Sequence, residues 1–152
     1  MRLNRIEPAT PADYDRITDV WEAAVRATHD FLSDDDIAYF RPLVRNTYLD
    51  LVQLSCVRND TGDIIGFAGV ADGKLEMLFV HPDWRGHGVG TLLIEHARVV
   101  RGATQVDVNE QNLGAVQFYL RMGFRVHARS PVDSLGKPFP LLHMSYAPEL
   151  PA

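Results

Sequence analysis

The spacing of hydrophobic residues divides the chain into a helical N-terminal part and a part that alternates strands with helices. Before residue 52, apolar residues recur every three or four positions, which predicts two amphipathic helices. Helix-start signatures at Thr10-Pro11 and Ser33-Asp34 open them, and Pro42 is expected to kink or divide the second. The apolar stripes are Tyr14, Ile17, Trp21, Ala24 and Val25 in the first helix, and Ile37, Phe40, Val44, Tyr48 and Leu51 in the second.

After residue 52, short apolar runs separated by turn residues predict an antiparallel meander followed by two helix–strand units. With an opening strand at 2–8, the order is β-α-α-β-β-β-α-β-α-β-β, which predicts a mixed α/β fold in one domain spanning 1–152. The expected later elements are strands at 53–58, 64–71 and 75–80, a helix at about 90–101, a strand at 104–109, a helix at 112–121, and strands at 124–130 and 141–146.

The composition and charge of the chain argue against several classes of function. The chain is 46% hydrophobic and 23% charged, with a net charge of -5, which argues against a nucleic-acid partner. No secretory signal and no apolar run of membrane-spanning length are present, so a cytoplasmic protein without membrane contact is expected. Cys56 is the single cysteine, and the six histidines show no ligand spacing, so no disulfide within the chain and no metal site are expected.

The main candidate motif is the glycine-rich segment Arg85-Gly86-His87-Gly88-Val89-Gly90, which lies between a predicted strand and a predicted helix. Glycines there let backbone N–H groups converge on an anion, and the start of the helix favours a phosphate. The simpler interpretation is a tight turn. A P-loop is excluded because no lysine follows Gly90, and a dinucleotide-binding fold remains a weak alternative, with Asp107 as its ribose-binding acid.

A second candidate lies downstream, where Asn112 and Tyr119 are seven residues apart and therefore predicted to share one helix face. A polar pair close to a phosphate loop suits a cofactor-binding edge. The alternatives are that Asn112 caps the helix and that Tyr119 is a core residue.

Together the loop and the segment from Asn112 to Phe124 resemble the GNAT family of N-acetyltransferases, and so does the element order. Three shorter segments, at 27–33, 108–112 and 135–138, resemble a bacterial member associated with protein-lysine acetylation. The resemblance implies acetyl-CoA as cosubstrate and direct transfer of its acetyl group to a primary amine, either of a protein lysine or of a small molecule.

The resemblance also implies roles for particular residues. Tyr119 would protonate or stabilise the departing thiolate, and Asn112 would fix the pantetheine arm or the tyrosine-bearing helix. The pantetheine would lie along the main chain of Leu78, Phe79 and Val80, and the diphosphate along Arg85, Gly86, His87, Gly88, Val89, Gly90 and Thr91.

The base that deprotonates the amine is left open between Glu76, His29 and a water relay. Strand alternation places Glu76 on the same face as Leu78 and Val80. His29 and Asn109 are candidate acceptor-binding residues. The alternative function is a non-catalytic module that binds CoA or another ligand, and the expected assembly is a monomer or a homodimer.

Overall fold

A seven-stranded mixed sheet organises the computed structural model, which describes residues 5–28 and 32–148. The strand order is β1-β2-β3-β4-β5-β7-β6, and all neighbours are antiparallel except β4 and β5. The strands are β1 (Arg5–Pro8), β2 (Gln53–Arg58), β3 (Ile64–Ala71), β4 (Lys74–Val80), β5 (Gln105–Asn109), β6 (Phe124–Ser130) and β7 (Leu141–Tyr146). The α-helices are α1 (Tyr14–Thr28), α2 (Asp34–Asn46), α3 (Val89–Val99) and α4 (Leu113–Arg121).

Two apolar clusters hold helices against opposite faces of the sheet. One lies under α3 and α4 and includes Leu93 and Phe124, which are fully buried. The other lies under α1 and α2 and includes Ile17 and Phe67, which are also fully buried. Because the sheet is covered on both sides, β3 is buried at seven of its eight positions, as its continuous apolar sequence requires.

The predicted element order and the meander β2–β3–β4 are confirmed, with differences in the helical N-terminal part. A 3-10 turn, Pro11–Asp13, precedes α1. Helix α2 runs through Pro42 without division, and Ile37 and Val44, two turns apart, are both buried. The chain leaves the helix at Thr47 (φ -131°, ψ -58°), so the predicted stripe was wrong to include Tyr48 and Leu51. Those two residues lie in a separate 3-10 turn, and Leu51 is 67% exposed.

Among the described residues, none of the helices is both long enough and apolar enough to cross a membrane. The opening strand is seen from Arg5 onwards, and residues 2–4 of its predicted range lie outside the described part of the chain.

Candidate active site

A cleft of about 440 Å³ opens where β4 and β5 separate. These parallel strands pair only at Lys74↔Gln105 and Leu75↔Val106. Beyond Leu75, β4 remains paired with β3 but has no partner on its other edge within the described chain. The cleft therefore has a wall of strand backbone whose alternate N–H and C=O groups are free to bind a ligand.

A β-bulge at Glu76 accounts for the separation of the two strands. Gly69 pairs with Met77 and Val70 pairs with Leu75, so Glu76 is an extra residue without a partner on β3. A bulge bends its strand and increases the local twist, and this one lies directly after the last pair that joins β4 to β5.

The bulge also removes the strand alternation on which the predicted orientation of Glu76 was based. Leu75 and Leu78 are three positions apart, yet both pack in the cluster under α3, so side-chain alternation is broken between them. The prediction that Glu76 shares a face with Leu78 and Val80 assumed an unbroken strand, and it stays a prediction, although all three residues line the cleft. Glu76 is exposed and lines the cleft.

The remaining β4 residues extend the cleft wall from the bulge towards the glycine-rich loop. Leu78, Phe79 and Val80 all line the cleft. Leu78 and Val80 pack against the cluster under α3, while the Phe79 ring contacts Phe67 on the opposite face, with ring centroids 5.6 Å apart. At about 3.3 Å per residue, Val80 lies about 13 Å along the strand from Glu76.

The glycine-rich loop closes one end of the cleft with backbone that only glycine adopts readily. Gly86 (φ +79°) and Gly88 (φ +81°) are in the left-handed region, and a Cβ atom built on either would meet nothing within 4 Å. The space beside both residues is open, and both line the cleft. The glycines therefore shape the loop and also leave room for a ligand against its backbone.

Helix α3 presents unpaired backbone donors at this end of the cleft. Gly88 is its N-cap and has no side chain to cap it, and the first bond within the helix runs from the Leu92 N–H to the Gly88 carbonyl. The N–H groups of Val89, Gly90 and Thr91 therefore have no acceptor within the helix, and all three residues line the cleft. Free donors together with the helix dipole make this end an anion-binding site.

Arginine side chains add positive charge near the same end. Arg85 is exposed and lines the cleft, and so does Arg121 at the end of α4. His87 is exposed, its ring lies 5.4 Å from that of Trp84, and it is absent from the cleft lining. Of the predicted loop residues from Arg85 to Thr91, the structure thus brings all except His87 to the cleft.

Asn112 lines the cleft as the N-cap of α4. Its Oδ1 accepts a hydrogen bond from the Ala115 N–H at 3.1 Å, and the helix begins one residue later at Leu113. The capping alternative therefore holds, and Asn112 lies just before the helix, not within it, because it does not have helical backbone angles (φ -90°, ψ 79°). Asn112 and Tyr119 both line the cleft.

Tyr119 is both a core residue and a residue of the cleft. It is 7% exposed, and its ring packs edge-on against Phe124 at a centroid distance of 5.8 Å. Its hydroxyl has no hydrogen-bond partner among the described residues, and the side chain lines the cleft. Burial raises the pKa of Tyr119 above its ordinary value of 10.0, so the phenol is protonated at neutral pH.

Acidic and polar side chains line the cleft near the bulge. Besides Glu76, these are Asp107 and Asn109 of β5. The Asn109 Oδ1 accepts a hydrogen bond from the Gln111 N–H at 2.9 Å, so this oxygen is engaged within its own turn. His29, the other predicted base and pocket residue, lies outside the described residues.

The partners of Asp107 and the topology of the sheet around it both argue against the dinucleotide-binding alternative. Its carboxylate accepts hydrogen bonds from Lys74 and His143, on the two neighbouring strands. Burial alone would raise the pKa of Asp107, but the hydrogen bonds from Lys74 and His143 outweigh it and hold the pKa below 3.8. The predominantly antiparallel sheet is also unlike the parallel sheet of that fold.

Sequence reasoning missed the contribution of α1. Ala24, Ala27 and Thr28, at i, i+3 and i+4, place small side chains on the cleft wall. The spacing was visible in the sequence, but only the strand arrangement shows which helix face meets the cleft. Within residues 5–28 and 32–148, no group of three His, Cys, Asp or Glu side chains is placed to hold a metal ion.

Comparison with known proteins agrees with this geometry. Residues 53–126, which contain β4, the glycine-rich loop, α3 and α4, match the family model described as an acetyltransferase (GNAT) domain. The chain is 41% identical over 132 residues to the peptidyl-lysine N-acetyltransferase YjaB of Salmonella typhimurium, an alignment that covers 87% of this chain and 90% of that protein.

Solved structures are similar over nearly the whole chain. The apo-form of YjaB from Escherichia coli matches with a TM-score of 0.87 and 38% identity, covering 95% of this chain and 98% of that one. The structure of yncA from Salmonella typhimurium with its cofactor acetyl-CoA matches with a TM-score of 0.63, covering 99% and 97% of the two chains. At 22% identity, that second likeness shows the fold alone.

Proposed function

This chain belongs to the GNAT family and is an N-acetyltransferase, and from that premise we propose that its acceptor is the side-chain amine of a protein lysine. The support is the 41% identity to a relative named a peptidyl-lysine N-acetyltransferase, over most of both chains. The exposed carboxylate of Glu76 lines the cleft, and it complements the positive charge of a lysine that arrives as an ammonium ion.

For the donor, we propose that acetyl-CoA lies along β4 with its diphosphate against the start of α3. The observation that carries the proposal is the cleft itself, in which unpaired β4 backbone leads to the free N–H groups of Val89, Gly90 and Thr91. Arg85 supplies a charge-assisted contact to the diphosphate. The pantetheine amides bond to the β4 main chain around Leu78 to Val80, which places the thioester towards the bulge at Glu76.

The chemical step is direct transfer from the thioester to the neutral amine. The nitrogen attacks the carbonyl carbon, the carbon–sulfur bond breaks, and the sulfur leaves as a thiolate that must be neutralised. Tyr119 is the proposed acid, because its buried phenol is protonated and its hydroxyl is not engaged by another described residue. Asn112 holds the start of the tyrosine-bearing helix through its cap on Ala115.

Deprotonation of the amine is assigned to Glu76, directly or through a water. An alkyl ammonium has a pKa near 10.4, so only a small fraction of the acceptor is reactive at neutral pH without a base. Glu76 lies at the bulge with its carboxylate exposed on the cleft. Asn109 and His29 are the proposed acceptor contacts.

The experiment that tests the acceptor class measures transfer from labelled acetyl-CoA to matched amines. One peptide carries a free lysine and a blocked N-terminus, a second carries a blocked lysine and a free N-terminus, and spermidine represents small polyamines. Label on the first peptide alone, placed on the lysine by mass spectrometry, is the expected result. Preference for the α-amine or for spermidine would contradict the proposal.

A Gly88→Glu variant controls for spontaneous acetylation in that experiment. Lysine acetylates slowly without an enzyme at high acetyl-CoA concentration, and the variant places bulk and negative charge in the open space beside the loop. Acetylation that depends on this cleft should be lost in the variant. Retention of CoA by the wild-type protein with no amine turnover would instead favour the non-catalytic binding module.

A further inference from the structure

A continuous row of hydrogen-bonded side chains crosses four neighbouring strands. The Ser130 hydroxyl oxygen lies 2.6 Å from His143 Nε2, and His143 Nδ1 lies 2.6 Å from Asp107 Oδ1. Lys74 pairs with the other oxygen of Asp107. The strand order β4-β5-β7-β6 places these four residues on successive strands, so a hydroxyl, an imidazole and a carboxylate are in direct contact.

The register of β6 produces this arrangement. Val126 pairs with Met144, but the next pair is Ala128↔His143, so His127 is an extra residue. Without that shift His127 would face His143, and Ser130 would point to the other side of the sheet, because a slip of one residue exchanges the two faces. With the shift, Ser130 is the diagonal neighbour of His143, and the small Ala128 opposite leaves room for the ring to approach it.

The protonation states follow from the partners of Asp107. This carboxyl group is ionised at neutral pH, since its pKa lies below 3.8. An ionised carboxylate only accepts hydrogen bonds, so His143 Nδ1 must donate to it. When the imidazole is neutral, its other nitrogen is an acceptor, and the Ser130 hydroxyl then donates to His143 Nε2.

We propose that Ser130 is a nucleophilic serine, with His143 as its base and Asp107 as the group that orients the base. A nucleophile in contact with a base that a third group orients is the recognisable geometry of serine catalysis, whatever the fold or the order along the chain. The site takes acyl groups from small activated esters and thioesters. It differs from amine acetylation in its reacting groups, because neither Tyr119 nor the glycine-rich loop takes part, although Asp107 also lines the acetylation cleft.

The site is open to a small substrate. Ser130 is partly exposed, and the side chains of His143 and Asp107 keep 27% and 24% of their accessible surface. Neighbouring charges are few: Lys74 is paired with Asp107, and Arg129, which strand alternation places on the opposite face of the sheet, is paired with Glu110. No charged side chain of the described row therefore competes for the Ser130 oxygen.

The proposed step balances without any co-reactant beyond the acyl donor. Ser130 Oγ attacks the carbonyl carbon while its proton moves to His143 Nε2. The bond from the acyl carbon to the leaving oxygen or sulfur breaks, and the leaving group takes the proton back from Nε2. Asp107 stabilises the imidazolium that exists between these two proton transfers. The products are an acyl-serine and a free alcohol or thiol. Water then releases the acid by the same route.

The test uses p-nitrophenyl acetate in the absence of CoA. Nitrophenolate release is followed optically, and samples quenched early are analysed by intact mass and peptide mapping. The expected result is one acetyl group per chain, located on Ser130. Ser130→Ala and His143→Gln should each lower the rate of acylation by about 10²-fold or more, the lower range for loss of a general base.

His127→Gln is the matched control for the histidine. Its ring lies 6.5 Å from that of His143 and has no carboxylate partner in the described part of the chain, so this variant should acylate as fast as the wild type. Acetyl-CoA binding by each variant, measured in parallel, reports an intact fold. An acetyl group on another residue, or equal acylation rates in His143→Gln and the wild type, would overturn the proposal.

Discussion

Replacing Tyr119 by phenylalanine removes one oxygen atom from the cleft and should separate catalysis from stability. The Tyr119 hydroxyl has no hydrogen-bond partner among the described residues, so its loss leaves no protein group unsatisfied. This hydroxyl faces the open cleft and is not a fully buried polar atom without a partner, so its removal relieves no desolvation cost. The ring contact with Phe124 is retained, and we therefore expect the free energy of unfolding to change by less than about 1 kcal/mol.

The effect of the same substitution on the rate should be large. Loss of a general acid lowers kcat by about 10²–10⁴-fold, which corresponds to about 2.7–5.4 kcal/mol of transition-state stabilisation. The acetyl-CoA dissociation constant should not change, because the proposed donor contacts lie on β4 and the glycine-rich loop. Single-turnover quench experiments, calorimetric titration and urea unfolding measure the rate of chemistry, the binding and the stability.

Tyr14→Phe is a control that should lower the stability and leave kcat unchanged. Tyr14 is 8% exposed, and its hydroxyl donates a hydrogen bond to Asp50 Oδ1 at 2.7 Å. Removing this donor should cost about 1 kcal/mol of stability while kcat stays at the wild-type value, because Tyr14 packs in the cluster under α1 and α2. Wild-type chemistry in Tyr119→Phe, or an equal loss of kcat in both variants, would refute the assignment.

Three further predictions concern packing, acid stability and the base. Gly66→Ala should destabilise the fold by about 1–3 kcal/mol in urea unfolding, because its Cβ would lie 2.8 Å from Val89 Cγ1. In the control Gly114→Ala, in α4, the added Cβ meets only Asn112 Oδ1, at 3.8 Å, and this substitution should raise the free energy of unfolding. The backbone N–H of Thr10 and the Arg58 guanidinium lower the pKa of Asp13 below 3.8. Asp13→Asn should therefore show its full loss of unfolding free energy above pH 3.8 and a smaller loss as the pH falls through the native pKa. An equal loss well below pH 3.8 would contradict this. Glu76→Gln should depress kcat/KM at neutral pH and recover as pH approaches about 10.4, where the amine is already neutral; pH–rate profiles parallel to wild type would reject Glu76 as the base.

The order and the bounds of the elements were predictable because each depends on neighbours within the sequence. The strand ranges 53–58, 64–71, 124–130 and 141–146 agree with the structure, since apolar runs and turn residues are local signals. The glycine-rich loop was equally visible, because its glycines and the helix that follows are contiguous.

The features that shape the site depend on pairing between distant segments and could not be predicted in the same way. The bulge at Glu76 is defined by how Gly69 and Val70 pair across the turn, so strict alternation is not a valid guide to the direction of the Glu76 side chain. The contact between Ser130 and His143 requires both the β6–β7 register and the shift at His127. The sequence left open whether Asn112 caps the helix or lies within it, and its backbone angles decide for the cap.

Calorimetric titration with acetyl-CoA tests the central claim most directly, by comparing the wild type with Gly88→Glu and Gly62→Glu. Both glycines have positive φ (+81° and +86°), and a Cβ on either meets nothing within 4 Å, so the two variants carry the same backbone strain and the same added charge. Only Gly88 lines the cleft; Gly62 lies in the turn between β2 and β3. We predict one-to-one binding by the wild type and by Gly62→Glu, and its loss in Gly88→Glu. No binding by the wild type at millimolar acetyl-CoA, or undiminished binding by Gly88→Glu, would contradict the account.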